Sequence, residues 1–287
     1  HKCTKDDIML SRYGYIGQAF IGLEGAYNVA LVKVIKKAEI HTPYLLCYFQ
    51  SYYFQHFLLS NVGARATIPG FNKDEPENAL IRIPEMCEQI EIASKITKVD
   101  ELIGFHKQQL NVLDTLIKSR FIEMFGTLNA NEKGFDVIDI EKLCTLIKDG
   151  THQTPTYTED KQNGFKFLSS KDVMTQKICW EDIKYIPAEL HEKLYATIQP
   201  KRNDILMSKN GVNYGVAAVN DTDEVFDIYV SLALLRPKTD RVNPVYLRCA
   251  INNPDTKRQF DSSIKGIGVP NLHLGEIKKT KVLLPPI

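Results

Sequence analysis

The residues best suited to chemistry by type and spacing fall into three short groups. Thr151, His152, Gln153 and Thr154 follow Asp149-Gly150 and precede Pro155, and each side chain in that run donates or accepts hydrogen bonds. Two readings stand. Asp-Gly can make a turn that Thr-Pro ends, or the run can be a reading loop in which glutamine addresses adenine bidentately and threonine meets a thymine methyl. In the second group, Lys209, Asn210, Asn213 and Tyr214 surround Gly211 and Gly215, a turn where backbone can come close to a phosphate. The third, Asn243-Pro244-Val245-Tyr246, has part of what a loop needs to hold an amine for methyl transfer. It lacks a second proline, and a helix N-cap followed by proline explains it better. Pro254-Asp255 has no Glu-x-Lys or Asp-x-Lys element on a convincing strand, which argues against nuclease chemistry, and no glycine-rich turn after a strand offers a phosphate or cofactor cradle.

What must position these groups is a repeat. Asp7-Ile8-Met9-Leu10-Ser11-Arg12-Tyr13-Gly14 returns as Asp204-Ile205-Leu206-Met207-Ser208-Lys209-Asn210-Gly211, 197 positions later. Pro43-Tyr44-Leu45 is answered by Pro244-Val245-Tyr246-Leu247, Gly63 by Gly266, Ile68-Pro69 by Val269-Pro270, and Ile81-Arg82-Ile83-Pro84 by Val282-Leu283-Leu284-Pro285. A period far above the roughly 20–50 residues of solenoid repeats means duplicated domains. In the first copy the counterparts of the Lys209 group are Arg12, Tyr13 and Tyr15. Arg65 and Lys265, beside the paired Gly63 and Gly266, join the candidates. The first copy has His41-Thr42-Pro43-Tyr44 where the second has Asn243-Pro244-Val245-Tyr246; the missing asparagine argues against methyl transfer and for a helix start in both. Similar scaffolds with different tips suit two readers of different sequences, because phosphate contacts position and base contacts specify.

Between the copies, Glu85 to Phe125 contains no proline and a single glycine, Gly104. Ile96, Val99, Ile103, Leu110, Leu113, Ile117 and Met124 follow a 3-then-4 spacing, a heptad seam in which His106 and Arg120 take two positions. Such a helix spans roughly 60 Å, and its single apolar stripe calls for a partner helix, as in one arm of a coiled coil. Strands are expected at 135–140, 164–168, 204–208 and 229–235, and a helix from Asn243-Pro244 through Asn252. The fold class is therefore α+β: duplicated mixed α/β domains joined by a long coiled-coil-type spacer helix, with boundaries at 1–84, 85–126 and 127–287. The first copy carries only the latter half of the plan, and the chain stops where the repeat predicts a second long helix, so a fragment is expected.

Composition sets wide bounds. Hydrophobic content of 44% and charge of 25% over 287 residues allow about two domains of ordinary soluble type. No window approaches the roughly 20 apolar residues of a membrane span, and the start lacks signal-peptide order, so a cytoplasmic protein is expected. Net charge is +1, weak support for nucleic acid, and the Lys201-Arg202 and Lys278-Lys279-Lys281 clusters read as solvated faces or as local basic patches. The six cysteines are scattered without metal-ligand spacing, and are expected reduced and mostly buried. Trp180 reads as core.

The ordered set of motifs resembles the specificity subunit of type I restriction-modification systems. Asp149-Gly150-Thr151-His152-Gln153-Thr154-Pro155 is similar to that family's Asp-Gly-Thr-His-x-Thr-Pro element, Asp204-Ile205-Leu206-Met207-Ser208 with Gly211 and Gly215 to its next element, and Ile83-Pro84-Glu85-Met86-Cys87-Glu88-Gln89 to the opening of its spacer helix. The resemblance implies target recognition domains on a helical spacer, with Arg12, Tyr13, Tyr15, Arg65, Thr151, His152, Gln153, Thr154, Lys209, Asn210, Asn213, Tyr214 and Lys265 as DNA-contact candidates. It implies double-stranded DNA, methyltransferase subunits and a restriction/translocase subunit as partners, and no catalysis or cofactor in this chain: S-adenosylmethionine, ATP and Mg belong to the partners. Self-association of the fragment through the seam is a further expectation. The alternatives are the recognition portion of a fused restriction-modification enzyme and a protein-binding scaffold.

Overall fold

A computed structural model describes residues 1–62, 70–72, 74–264 and 270–286. The chain divides into two compact units, His1–Val112 and Leu113–Ile287, with the border inside the long helix.

In the first unit, β1 (Lys2–Cys3), β2 (Met9–Ser11), β3 (Ala19–Phe20), β4 (Gly25–Ala26) and β5 (Leu31–Lys33) precede α1 (Thr42–Gln50), α2 (Tyr52–Asn61), α3 (Asp74–Glu77) and the long α4 (Met86–Phe125). The antiparallel sheet runs β3-β2-β5, and β1 pairs with β4. Ile8, Leu10, Leu45, Phe49, Phe54, Leu58 and Phe71 form the core between sheet and helices. Ser51 separates α1 from α2: its extended backbone ends the first, and its Oγ accepts a 3.3 Å bond from the Phe54 N–H to start the second.

The second unit holds the end of α4, then β6 (Asp136–Asp139), α5 (Ile140–Leu143), β7 (Cys144–Asp149), β8 (Phe165–Leu168), a 3-10 turn, β9 (Lys184–Ile186), α6 (Ala188–Tyr195), β10 (Ile205–Ser208), β11 (Ala217–Val219), β12 (Phe226–Ile228), β13 (Leu232–Pro237), α7 (Pro244–Ile251), α8 (Pro254–Ser263), α9 (Leu274–Lys279) and β14 (Lys281–Leu284). One sheet runs β11-β10-β13-β7, a second β12-β8-β9, and β14 pairs with β6. Their apolar faces fill two cores, one under α7 to α9 and one between the sheets. Trp180 packs against the second core, as expected. A buried pair, His191 Nδ1 to Asp227 Oδ2 at 2.6 Å beneath the Phe165 ring, ties α6 to β12.

The repeat is visible in detail. The β3-β2-β5 sheet matches β11-β10-β13, and each is followed by two helices and a short third. Asp7 and Asp204 each accept from a backbone N–H three residues back, Thr4 at 2.7 Å and Lys201 at 2.8 Å, and each pairs with a cation on a neighbouring strand, Lys33 at 2.7 Å and Arg236 at 2.7 Å. Tyr44 donates to the Arg82 carbonyl at 2.8 Å, and Tyr246 to that of Leu283 at 2.6 Å. Backbone bridges Tyr13 to Gly70 and Asn210 to Asn271 also correspond.

Several expectations need correction. The strand expected at 229–235 is displaced to β13, because Tyr229 and Val230 bond instead to Leu168 and Thr151. The helix start differs between copies: Asn243 Oδ1 caps α7 by accepting from Val245 and Tyr246, whereas α1 has no side-chain cap. The His41 N–H at its start donates instead to Gln89 Oε1 of α4 at 2.8 Å. All six cysteines are free, but only Cys3 and Cys144 are buried and Cys87 is exposed. Burial pushes the Cys144 thiol up to about 12. On α4, Gln89 and Ala93 alone are buried. The seam residues Ile96, Val99, Ile103, Leu110, Leu113, Ile117 and Met124 are all exposed, so nothing among the described residues of this chain covers the stripe.

Candidate nucleic-acid interface

Sheet order brings the first two candidate groups together. β7 and β10 both run antiparallel to β13, so both leave the sheet at the same edge, where β13 begins. The loop after β7 carries Thr151 to Thr154, and the turn after β10 carries Lys209 to Tyr214. They are joined by a 2.7 Å ion pair between Lys209 Nζ and Asp149 Oδ2.

That pair reassigns Lys209. Its side chain is 6% exposed, and its ammonium faces Asp149, not solvent; it does not offer the free cation expected beside the glycine turn. Burial raises the Asp149 carboxyl, but the hydrogen bond and charge of Lys209 more than reverse this and hold it below the usual carboxylate range. Gly150 is required by close approach, since a Cβ there would meet the Ile228 carbonyl oxygen at 2.1 Å. Thr151 is fixed by its backbone, donating to Ile228 at 3.1 Å and accepting from Val230 at 3.0 Å. Pro155 is buried. Between these anchors His152, Gln153 and Thr154 are exposed, with His152 Nε2 3.3 Å from Asp149 Oδ2. The motif thus divides into anchored residues, Asp149 to Thr151 and Pro155, and exposed ones, His152 to Thr154.

The β10–β11 turn has the same internal wiring as its counterpart. Ser208 Oγ donates to the Asn213 carbonyl and accepts from the Val216 N–H; Ser11 Oγ donates to the Tyr15 carbonyl and accepts from the Gln18 N–H. Gly215 and Gly17 have positive φ, and a Cβ on either would press a helix side chain, Phe260 at 2.8 Å or Leu58 at 2.5 Å. The tips differ. In the second unit Asn213 is exposed and Val212 is 82% exposed, while in the first Tyr15 is 85% exposed. Asn210 lies in the backbone bridge to Asn271, with its Oδ1 buried and without a hydrogen-bond partner among the described residues.

Tyr214 is a second correction: its ring is buried under Lys257, 3.3 Å from the centroid, and its hydroxyl bonds Asp261 of α8. Arg12 is partly committed, donating from Nε to the Phe71 carbonyl at 2.8 Å and lying over Tyr13, 5.2 Å from the ring centroid. Tyr15 borders an open groove of about 600 Å³ that Gln18, Gln50 and Gln55 also line. Arg65 and Lys265 lie outside the described residues. Asp149, which opens the motif, was not marked by residue type as an anchor; its ion pair with Lys209 gives it that place. Among the described residues no three His, Cys, Asp or Glu side chains gather as a metal site, and no helix is long and apolar enough to cross a membrane.

Comparison with known proteins accords with this geometry. Residues 2–115 match the family described as type I restriction modification DNA specificity domain. Two curated relatives from Methanocaldococcus jannaschii align with 98% of the chain: the type I restriction enzyme MjaVIII specificity subunit, 24% identical with 69% of its length covered, and the MjaIX specificity subunit, 22% identical with 68% covered. The chain is thus similar to type I specificity subunits over nearly its whole length, and the family match covers the first copy and much of the long helix. Among solved structures, the type I system S subunit from M. genitalium superposes with a TM-score of 0.54 at 14% identity, over 98% of this chain and 72% of that one. A chain from a study of type I assembly and conformational transition gives 0.53 at 15% identity, over 100% and 71%. These superpositions establish a shared mixed fold with a long helix.

Proposed function

We propose that the chain is a non-catalytic DNA-recognition subunit. It reads a bipartite duplex target, one half per unit, and directs methyltransferase and nuclease/translocase subunits to it in the cytoplasm. The observation that carries this reading is the hydroxyl-braced turn repeated in both units, with Tyr15 at one tip and Asn213 at the other. An unchanged scaffold with exchanged tips separates positioning from specification. In this reading S-adenosylmethionine, ATP and Mg act on the partner subunits. The exposed stripe of α4 receives a second helix, from another copy of the chain when no other is supplied, and the remaining faces of α4 receive methyltransferase subunits.

The test is methylation mapping of genomic DNA with and without the full gene. Loss of methylation at one two-part motif supports the reading, and an unchanged methylation pattern overturns it. Calorimetry on the chain with S-adenosylmethionine is expected to show no binding; tight binding would favour a catalytic role.

A further inference from the structure

The loop bearing His152 to Thr154 continues into an aromatic row. Thr158 bridges Tyr185 of β9, which lays Tyr157 along the β12-β8-β9 sheet. The Tyr157 ring meets Phe167 edge-on at 6.2 Å between centroids, Phe167 meets Tyr229 at 6.1 Å, and Tyr229 bridges Thr151. The row therefore starts at the candidate reading loop. It ends at Lys184, the cross-strand neighbour of Phe167, whose Nζ lies 4.1 Å from the Tyr157 ring centroid.

Lys184 is exposed, and among the described residues no carboxylate pairs with it. Lys166 and Lys209, by contrast, are neutralised by Glu224 and Asp149. A cation held on an aromatic face has lost part of its rotamer freedom but keeps its charge. It is pre-positioned for an anion at the end of the aromatic row that starts at the loop, and the anion that accompanies base edges in a duplex is a backbone phosphate.

We propose that Lys184, steered by Tyr157, binds a phosphate of the DNA duplex whose bases the His152 to Thr154 loop reads. This rests on the DNA-reading function above. Lys184 sets register and affinity, which the buried Lys209 cannot do, and leaves base choice to the loop.

The test measures binding of the full chain to a randomised duplex and to its selected duplex across a salt series. Lys184→Ala is expected to weaken both about equally and to flatten the slope of log K against log salt by about 0.9, the share of one phosphate. Lys184→Arg is expected to restore the slope, and Lys193→Ala, which removes an exposed lysine on α6, to leave it unchanged. A wild-type slope in Lys184→Ala, or a loss confined to one base position, overturns the proposal. If the wild-type chain binds neither duplex, the DNA-reading function fails and this proposal with it, an outcome distinct from binding that ignores Lys184.

Discussion

Asp149 and Lys209 form a polar pair that holds two loops together and leaves neither charge free for a ligand. The pair pins the loop after β7 to the turn after β10, and the Lys209 side chain is almost wholly withdrawn from solvent. Lys209→Ala leaves the Asp149 charge in a largely buried place without its partner. It is expected to destabilise the chain by roughly 3 kcal/mol, the lower end of the range for breaking a buried pair, as read from the denaturation midpoint. The slope of DNA binding against salt should stay unchanged in the folded fraction. Asp7 gives a pH signature in the first unit. The hydrogen bond from Lys33 holds its carboxyl at about 2, below the usual 3.8. The folded value lies below the unfolded one, so the stabilisation is complete above about pH 4 and is lost as pH falls through about 2. Melting of Asp7→Asn is expected to show a lower Tm near neutrality and a shallower decline between those two pH values.

At the scale of elements, the Gln89 amide ties the start of α4 to the start of α1. Gln89 is 2% exposed; its Oε1 accepts from His41 and its Nε2 donates to Pro84 at 2.8 Å. Gln89→Ala strands a backbone donor and an acceptor at the helix start. The expected loss is about 1–3 kcal/mol, measurable as faster amide exchange at 41–46 and a lower midpoint. The seam behaves oppositely. Leu113 and Ile117 are 52% and 61% exposed, so replacing both with aspartate should change the melting of the isolated chain little. The same double variant is expected to abolish concentration-dependent association in sedimentation, because a heptad stripe is held by its partner helix. Retained association would remove the coiled-coil assignment.

For the whole molecule, the proposed function predicts that duplication makes specificity separable. Gln153 and Asn213 are exposed on the second unit and Tyr15 on the first. Gln153→Ala or Asn213→Ala is expected to relax base preference in one half of the target, by about 1–3 kcal/mol for a direct base contact. Tyr15→Ala should act on the other half alone. Competition with duplexes altered in each half checks this; a variant that relaxes both halves would refute the division.

The duplication, the long helix and the Asn243-Pro244 helix start are legible in residue order alone. Each is written in local or periodic order: a register of like residues, a 3-then-4 apolar spacing, a side chain that caps its own next turn. The DGTH-like run was legible as a motif, and Gly150 explains its rigidity through contact with a strand far along the chain. Which polar residues face outward depends on strand pairing across the fold. Lys209 and Tyr214 look like surface ligands beside flexible glycines, but sheet order puts Asp149 against one and α8 against the other. Lys184 carries no motif at all. Its place beside the loop follows from β9 pairing with β8 and from Thr158 bridging β9. Pairing between distant strands depends on the whole core, whereas a cap or a heptad depends on a few neighbours, and that difference in range separates what could be read from what had to be seen.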